Sequence, residues 1–166
     1  MRLALVALLS TCMSGCGAQK AQDEPLKTIW DHFTVQVAGH PASVQLAVLD
    51  AEKERGLMQR PDLGKDEGMI FVYRAPERQN YWMRNTPEPL EIAYANPEGV
   101  IMEVYPMIPL DERGVTSRSS EIQYVLEMPQ GWFRANAVRI GDRIDKKALG
   151  DAVKARGFDP AAYGLR

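Results

Sequence analysis

Alternation of apolar and polar residues is what most limits the folds open to this chain. In "FTVQV", Phe33, Val35 and Val37 fall on one side of an extended backbone, with Thr34 and Gln36 on the other. "SVQLAVL" repeats the pattern with Val44, Leu46 and Val48. The intervening "AGHP" is a turn, so the two runs read as a hairpin. "GMIFVY", Gly68 to Tyr73, is a continuous apolar run and suits a strand buried on both faces. "PLEIAYA" and "VIMEVYPM" flank the turn signal "NPEG" as a second hairpin. After the polar loop "PLDERGVTSRSS", "EIQYVLEM" adds another strand and "VRIGDRI" a last short one. Helical signals are confined to short pieces. "DAEKERGLM" is a turn or two capped by Asp50 and stopped by Gly56, and "GWFRANA" holds one turn. "KKALGDAVKAR", beyond Asp145, puts Leu149 and Val153 on one side of a surface helix. The expectation is a mostly β domain: an antiparallel β-sandwich or partly closed barrel, with one or two short helices and a C-terminal helix.

The front of the chain speaks to location. Arg2 supplies a positive charge, and "LALVALL", Leu3 to Leu9, is apolar but too short to span a bilayer. "MSGC", Met13 to Cys16, resembles the lipobox of bacterial lipoproteins, where a cysteine is acylated and becomes the new N-terminus. Cys12, closing "LSTC", is the rival, but Thr11 suits the position before the cysteine less well than Gly15. Acyl chains hold a protein to a membrane because each buried methylene adds about 0.8 kcal/mol. Ala18, second after Cys16, resembles lipoproteins sent on to an outer membrane. The expected organisation is a signal peptide over 1–15, a lipid-anchored tether over 16–27, a β-domain over 28–145 and a C-terminal extension over 146–166. Both cysteines lie in the leader, so no disulfide framework and no CxxC metal or redox site is implied.

Charge narrows the partners. The net charge is −2, with acidic and basic residues mixed along the chain. A nucleic-acid partner is not expected, for want of a basic stripe. No cofactor fingerprint, hydrolase elbow or metal-ligand spacing stands out. The serines of "TSRSS" lack a GxSxG frame, and His32 and His40 merely flank the first strand. Met58, Met69, Met83, Met102, Met107 and Met128 offer thioethers to a soft ion such as Cu(I), but methionines in apolar runs more commonly fill gaps in a core.

Chemistry concentrates in "NYWMRNT", Asn80 to Thr86. Read as a strand, "WMRNT" points Trp82, Arg84 and Thr86 one way and Met83 and Asn85 the other. Arg84 beside Trp82 suits a clamp for a carboxylate, sulfate or phosphate, with Asn85 and Thr86 adding neutral hydrogen bonds. Arg55 would join Arg84 as a second cation, and Gly56 would let the chain approach the neighbouring strand closely. Arg60 is expected at solvent. Glu91 and Glu127 lie in apolar strands, where burial would raise their pKa values and invite proton-transfer work. The competing reading makes all of these braces: Arg84 paired with Glu91 or Glu127, Arg55 bridging to an acidic strand residue, Trp82 in the core.

The motifs "ERGLMQR" (Glu54 to Arg60), "GMIFVY", "WMRNT", "YVLEMPQGW" (Tyr124 to Trp132) and "GDRI" (Gly141 to Ile144) occur in one order. Together they make the chain, from about Phe33 to Ile144, resemble the bacterial and archaeal "domain of unknown function 192" family. The resemblance implies a compact β-sandwich, often exported or lipid-anchored, with no established activity. That family usually has Lys where Arg84 stands and Asp where Glu91 stands, which keeps each charge but changes its reach.

These readings converge on a lipid-anchored envelope protein that binds a small or polymeric anionic or polyhydroxylated ligand, without catalysis. Trp82 would be the platform, Arg55 and Arg84 the cations, and Asn85, Glu91 and Glu127 the orienting groups. One alternative is an envelope hydrolase using Glu91 and Glu127 as acid and base, which requires both carboxyls in one cleft. Another is a structural accessory docking to an envelope protein, which requires an exposed apolar patch and no pocket.

Overall fold

The apolar run at the centre of the chain becomes the centre of a sheet. β3 (Glu67–Glu77) buries Met69, Ile70, Phe71 and Val72 in succession, alternately to its two faces. In this computed structural model, residues 25–165 are described. The signal-peptide and lipidation expectations, with Cys12, Cys16 and most of the tether, fall outside them. β1 (His32–Val37) and β2 (His40–Ala47) form the expected first hairpin. β5 (Leu90–Ala95) and β6 (Ile101–Met107) form the second, around Asn96 to Gly99. β8 (Ile122–Pro129) lies between β3 and β5, giving a six-stranded sheet in the order β1-β2-β3-β8-β5-β6. β4 (Asn80–Tyr81) and β7 (Val115–Thr116) pair as a separate two-stranded ribbon.

The mostly β expectation holds, and the sheet is open and mixed. β2 and β3 run parallel, because the link between them carries α1 (Asp50–Arg55) across and returns the chain in the same direction. "VRIGDRI" forms only isolated bridges, Val37 to Ile144 and Val100 to Arg143, rather than a strand.

Two cores result, one on each face. The first packs α2 (Trp132–Ala135), α3 (Lys146–Ala155) and a 3-10 turn (Pro160–Tyr163) against the sheet through Trp132, Leu149, Val153 and Tyr163. Leu149 and Val153, both fully buried, each contribute roughly 1.5–3 kcal/mol. Asp145 starts α3 by accepting from the backbone N–H groups of Lys147 and Ala148. Gly150, a weak residue for a helix interior, is accommodated where an added Cβ would sit 3.5 Å from Leu165. The second core lies under the ribbon and the long loops: Leu57, Met69, Phe71, Met83, Leu90, Ile92, Tyr94 and Met107. Met69, Met83, Met107 and Met128 are all buried and divided between the two cores, which makes them packing residues.

Candidate functional site

α1 places the first wall. Asp50 is not its cap; the helix starts from Leu49, and the Glu52 carboxylate reaches back to the N–H groups of Val48 and Leu49 at 2.8 and 2.9 Å. Gly56 ends the helix with φ of 50°. That angle is what asks for glycine, since an added Cβ would meet the Phe71 ring only at an ordinary 3.6 Å. The last turn therefore presents Lys53, Glu54 and Arg55 to a cleft on the ribbon face of the sheet. Arg60, expected at solvent, instead folds inward and donates to Gln45 at 2.9 Å, answering a buried amide.

The second wall is "WMRNT", and it is not a strand. Trp82 to Thr86 form a turn between β4 and β5. Met83 is buried and its N–H donates to the Asp111 carbonyl at 2.8 Å; Thr86 is buried and its N–H donates to the Met83 carbonyl at 3.0 Å. Asn85 takes a left-handed backbone, φ 53°, a conformation that asparagine tolerates better than most residues. Its carbonyl accepts from the Gln59 N–H at 2.8 Å, which ties this wall to the segment after α1. The turn changes the facing pattern. Trp82, Arg84 and Asn85 look outward together, while Met83 and Thr86 anchor the loop.

Between the walls lies a cleft of about 640 Å³. Arg55, Trp82, Arg84, Asn85 and Glu127 line it, so the structure brings together five of the six residues singled out from sequence. At the mouth both arginines are exposed, and neither forms an ion pair among the described residues. The ion pairs that the brace reading asked of them are absent among the described residues. Arg84 lies over the half-exposed Trp82 ring, 5.6 Å from its centroid, and Arg55 lies over Trp30 at 4.2 Å. Trp30, Lys53, Tyr73 and Tyr81 were missed from sequence. Trp30 was within reach, as a tryptophan between tether and first strand. The tyrosines and Lys53 carried no signal, because only the tertiary fold brings them beside Arg55.

Glu127 forms the floor. It projects from β8 on the ribbon face, opposite Met69 on β3 and Ile92 on β5, and is only 4 % exposed. Gly68 on β3 keeps the backbones close here: a Cβ on it would lie 2.2 Å from the Glu127 carbonyl. The Glu127 carboxyl receives no hydrogen bond among the described residues, and burial pushes its pKa up to about 8. Beside it stand Tyr73 and Tyr81, whose hydroxyls share a 2.6 Å hydrogen bond and whose titration burial also pushes upward. At neutral pH the floor is thus an uncharged carboxylic acid, able both to donate and to accept.

Glu91 does not belong to this site. It is paired with Met128, one residue along from Glu127, so its side chain emerges on the helix face beside Phe133, Arg134 and Val138. Its Oε2 is buried there without a partner. The expectation that Glu91 and Glu127 act as acid and base in one cleft is therefore corrected: neighbouring strands place them on opposite sides of the sheet. Among the described residues no group of three or more His, Cys, Asp and Glu side chains is placed to hold a metal ion.

Two solved structures resemble the chain. One, from Sinorhizobium meliloti 1021 and described as a candidate transcription regulator, is 30% identical with a TM-score of 0.67, covering 72% of this chain and 96% of that one. The other, a protein of unknown function from Novosphingobium aromaticivorans DSM 12444, is 32% identical with a TM-score of 0.63, covering 69% and 83%. No curated relative matches. The model of DUF192, described as an uncharacterised ACR family, matches residues 33–146, which span every strand of the sheet and both walls of the cleft. The chain belongs to the DUF192 family.

Proposed function

We propose that this is a lipid-anchored cell-envelope domain that binds a small anionic or polyhydroxylated ligand in the cleft between α1 and the Trp82–Thr86 turn, without chemistry of its own. One observation carries the reading: among the described residues, Arg55 and Arg84 stand at the mouth with no carboxylate partner, and Glu127 closes the floor with no hydrogen-bond partner. Buried polar groups in folded proteins are nearly always answered, and a ligand is what would answer the Glu127 carboxyl; the two exposed guanidiniums add charge with which to hold it. The cleft volume, about 640 Å³, falls in the range of small-molecule sites, roughly 300–1,000 Å³. Trp82 supplies the platform, Arg55 and Arg84 the cations, Asn85 and Glu127 the orienting groups; Glu91 leaves the set. A docking accessory would need no such hollow. The regulator description of the Sinorhizobium protein does not carry over readily, since a net charge of −2 with mixed signs favours no duplex-binding face.

Arg84→Ala tests the site. Calorimetry against a panel of acidic and neutral oligosaccharides and organic acids should show weakened binding, with stability within about 1 kcal/mol of wild type. A large loss of stability would make Arg84 a brace after all. The envelope assignment rests on the leader: Cys16→Ala should move the protein from membrane to soluble fractions, whereas the same effect from Cys12→Ala alone would shift the lipidation site.

A further inference from the structure

The cleft has two chemically different ends, and together they narrow the ligand. Its mouth is cationic and aromatic, with Arg55 over Trp30 and Arg84 over Trp82. Its middle is apolar, lined by Leu57, Phe71, Met83 and Leu90. Its floor is a single carboxyl, 96 % shielded by the rest of the fold but still lining the cavity. The cations do not pair with it; their guanidinium carbons lie over the indole rings, 4.2 and 5.6 Å from the centroids. Lys53 is likewise engaged, over the Tyr73 ring at 4.5 Å and beside Asp50 at 3.4 Å.

Resting on the ligand-binding reading above, we propose that the occupant is a small amphipathic anion, its acidic group at Arg55 and Arg84, its apolar body along Phe71 and Met83, and an uncharged hydrogen-bonding group at the buried carboxyl of Glu127. A larger polymer would have to leave most of its length outside a cleft of about 640 Å³. A neutral molecule would leave the two arginines unanswered. A dianion with a charge at each end would bury one of them in the apolar depth of the cleft, away from the arginines and beside a carboxyl that becomes anionic as it titrates.

Binding and protonation are then linked. The groups that share the cleft with Glu127 are Tyr73 from β3, Tyr81 from β4, Lys53, Glu54 and Arg55 from α1, and Arg84 from the turn, with Tyr94 of β5 buried close behind. Burial pushes the titration of the three tyrosines upward, and the arginines stay charged throughout. Glu127 is therefore the cleft group whose charge changes near pH 8. Ionising it places a second anion in the hollow, and by reciprocity an anion bound at the mouth makes that ionisation harder.

The test uses 8-anilinonaphthalene-1-sulfonate, a small aromatic sulfonate that stays charged across the range, with its neutral analogue N-phenyl-1-naphthylamine, bound to the purified full chain from pH 6 to 10. Wild type should bind the sulfonate and lose affinity by up to about tenfold per pH unit above the Glu127 titration. Glu127→Gln should bind at least as well and show a flat profile. Paired Arg55→Ala and Arg84→Ala substitutions should weaken the sulfonate at least tenfold at pH 6 and leave the neutral dye unchanged. Carbon NMR of the Glu127 carboxyl, which needs no variant, should show its titration moving upward when the sulfonate is bound. Arginine-dependent binding with no pH response, or an unmoved carboxyl titration, overturns the role of Glu127 while leaving the binding site standing. Equal binding of both dyes overturns the anionic ligand. Sulfonate binding indifferent to the arginines overturns the proposed site itself.

Discussion

The two faces of the sheet treat polar groups in opposite ways. On the helix side most are spoken for. Arg156, after α3, donates to the Leu46 carbonyl on β2 and to the Glu52 carboxylate of α1. The Tyr124 hydroxyl donates to the Tyr163 carbonyl at 2.8 Å, and Gln123 donates to the same carbonyl and to that of Tyr73. These bonds hold the C-terminal segment on the sheet. Among the described residues the exceptions are single buried atoms, Oε2 of Glu91 and Nε of Arg156. On the ribbon side the unanswered groups open into one hollow: two guanidiniums, an indole and a carboxyl. The same strands make both faces, and adjacent residues on them, such as Glu127 and Met128, belong to different worlds. A sheet closed on one side by helices is free to spend its other side on recognition.

That contrast can be tested at its strongest point first. Arg156→Ala would strand the Glu52 carboxylate and the Leu46 carbonyl, and removing one member of a buried pair costs about 3–5 kcal/mol. Urea unfolding should show that loss; a change near zero would mean the helix face is not braced as described. Glu127→Gln should act oppositely, by an amount that grows as the pH rises above about 4.5. The folded value of about 8 stands above the ordinary 4.5. Between these two pH values the native protein holds a proton that the unfolded chain has released, so wild-type stability falls as pH rises and levels off above the folded value. Removing the charge should stabilise the protein at pH 9 by on the order of a few kcal/mol, with the gap closing towards pH 4. Parallel stability curves would mean that something pairs with Glu127. Tyr73→Phe, which breaks the hydroxyl pair with Tyr81 in the cleft wall, should cost only about 1 kcal/mol in the same assay.

The strands were largely written in the chain. Period-two patterns such as Val44, Leu46 and Val48 face one core because alternation is a local property of extended backbone. Both hairpins, the helical turn at Trp132–Ala135 and α3 follow from equally local signals: turn residues and apolar spacing. The misreadings share one cause. "WMRNT" has a strand's composition, but Met83 and Thr86 are bonded to the loop at Asp111 and to each other, and a turn results. Asp50 looks like a cap, yet Glu52 does the work from inside the helix. Arg60 looks like a surface cation, yet it satisfies an amide on β2.

The site divides along the same line. Sequence alone picked out Arg55, Trp82, Arg84, Asn85 and Glu127 as candidates, because charge, aromaticity and apolar surroundings are visible in one dimension, and all five line one cleft. It could not decide that Glu91 faces away, for that depends on the register between β5 and β8, where one residue's offset exchanges the faces. Nor could it decide that the arginines lie over indoles instead of neutralising a carboxylate, or that Tyr73 and Tyr81 join the hollow while Trp30 packs under Arg55. Those outcomes depend on distances between segments far apart in the chain, which only the packed sheet and its crossing helix set.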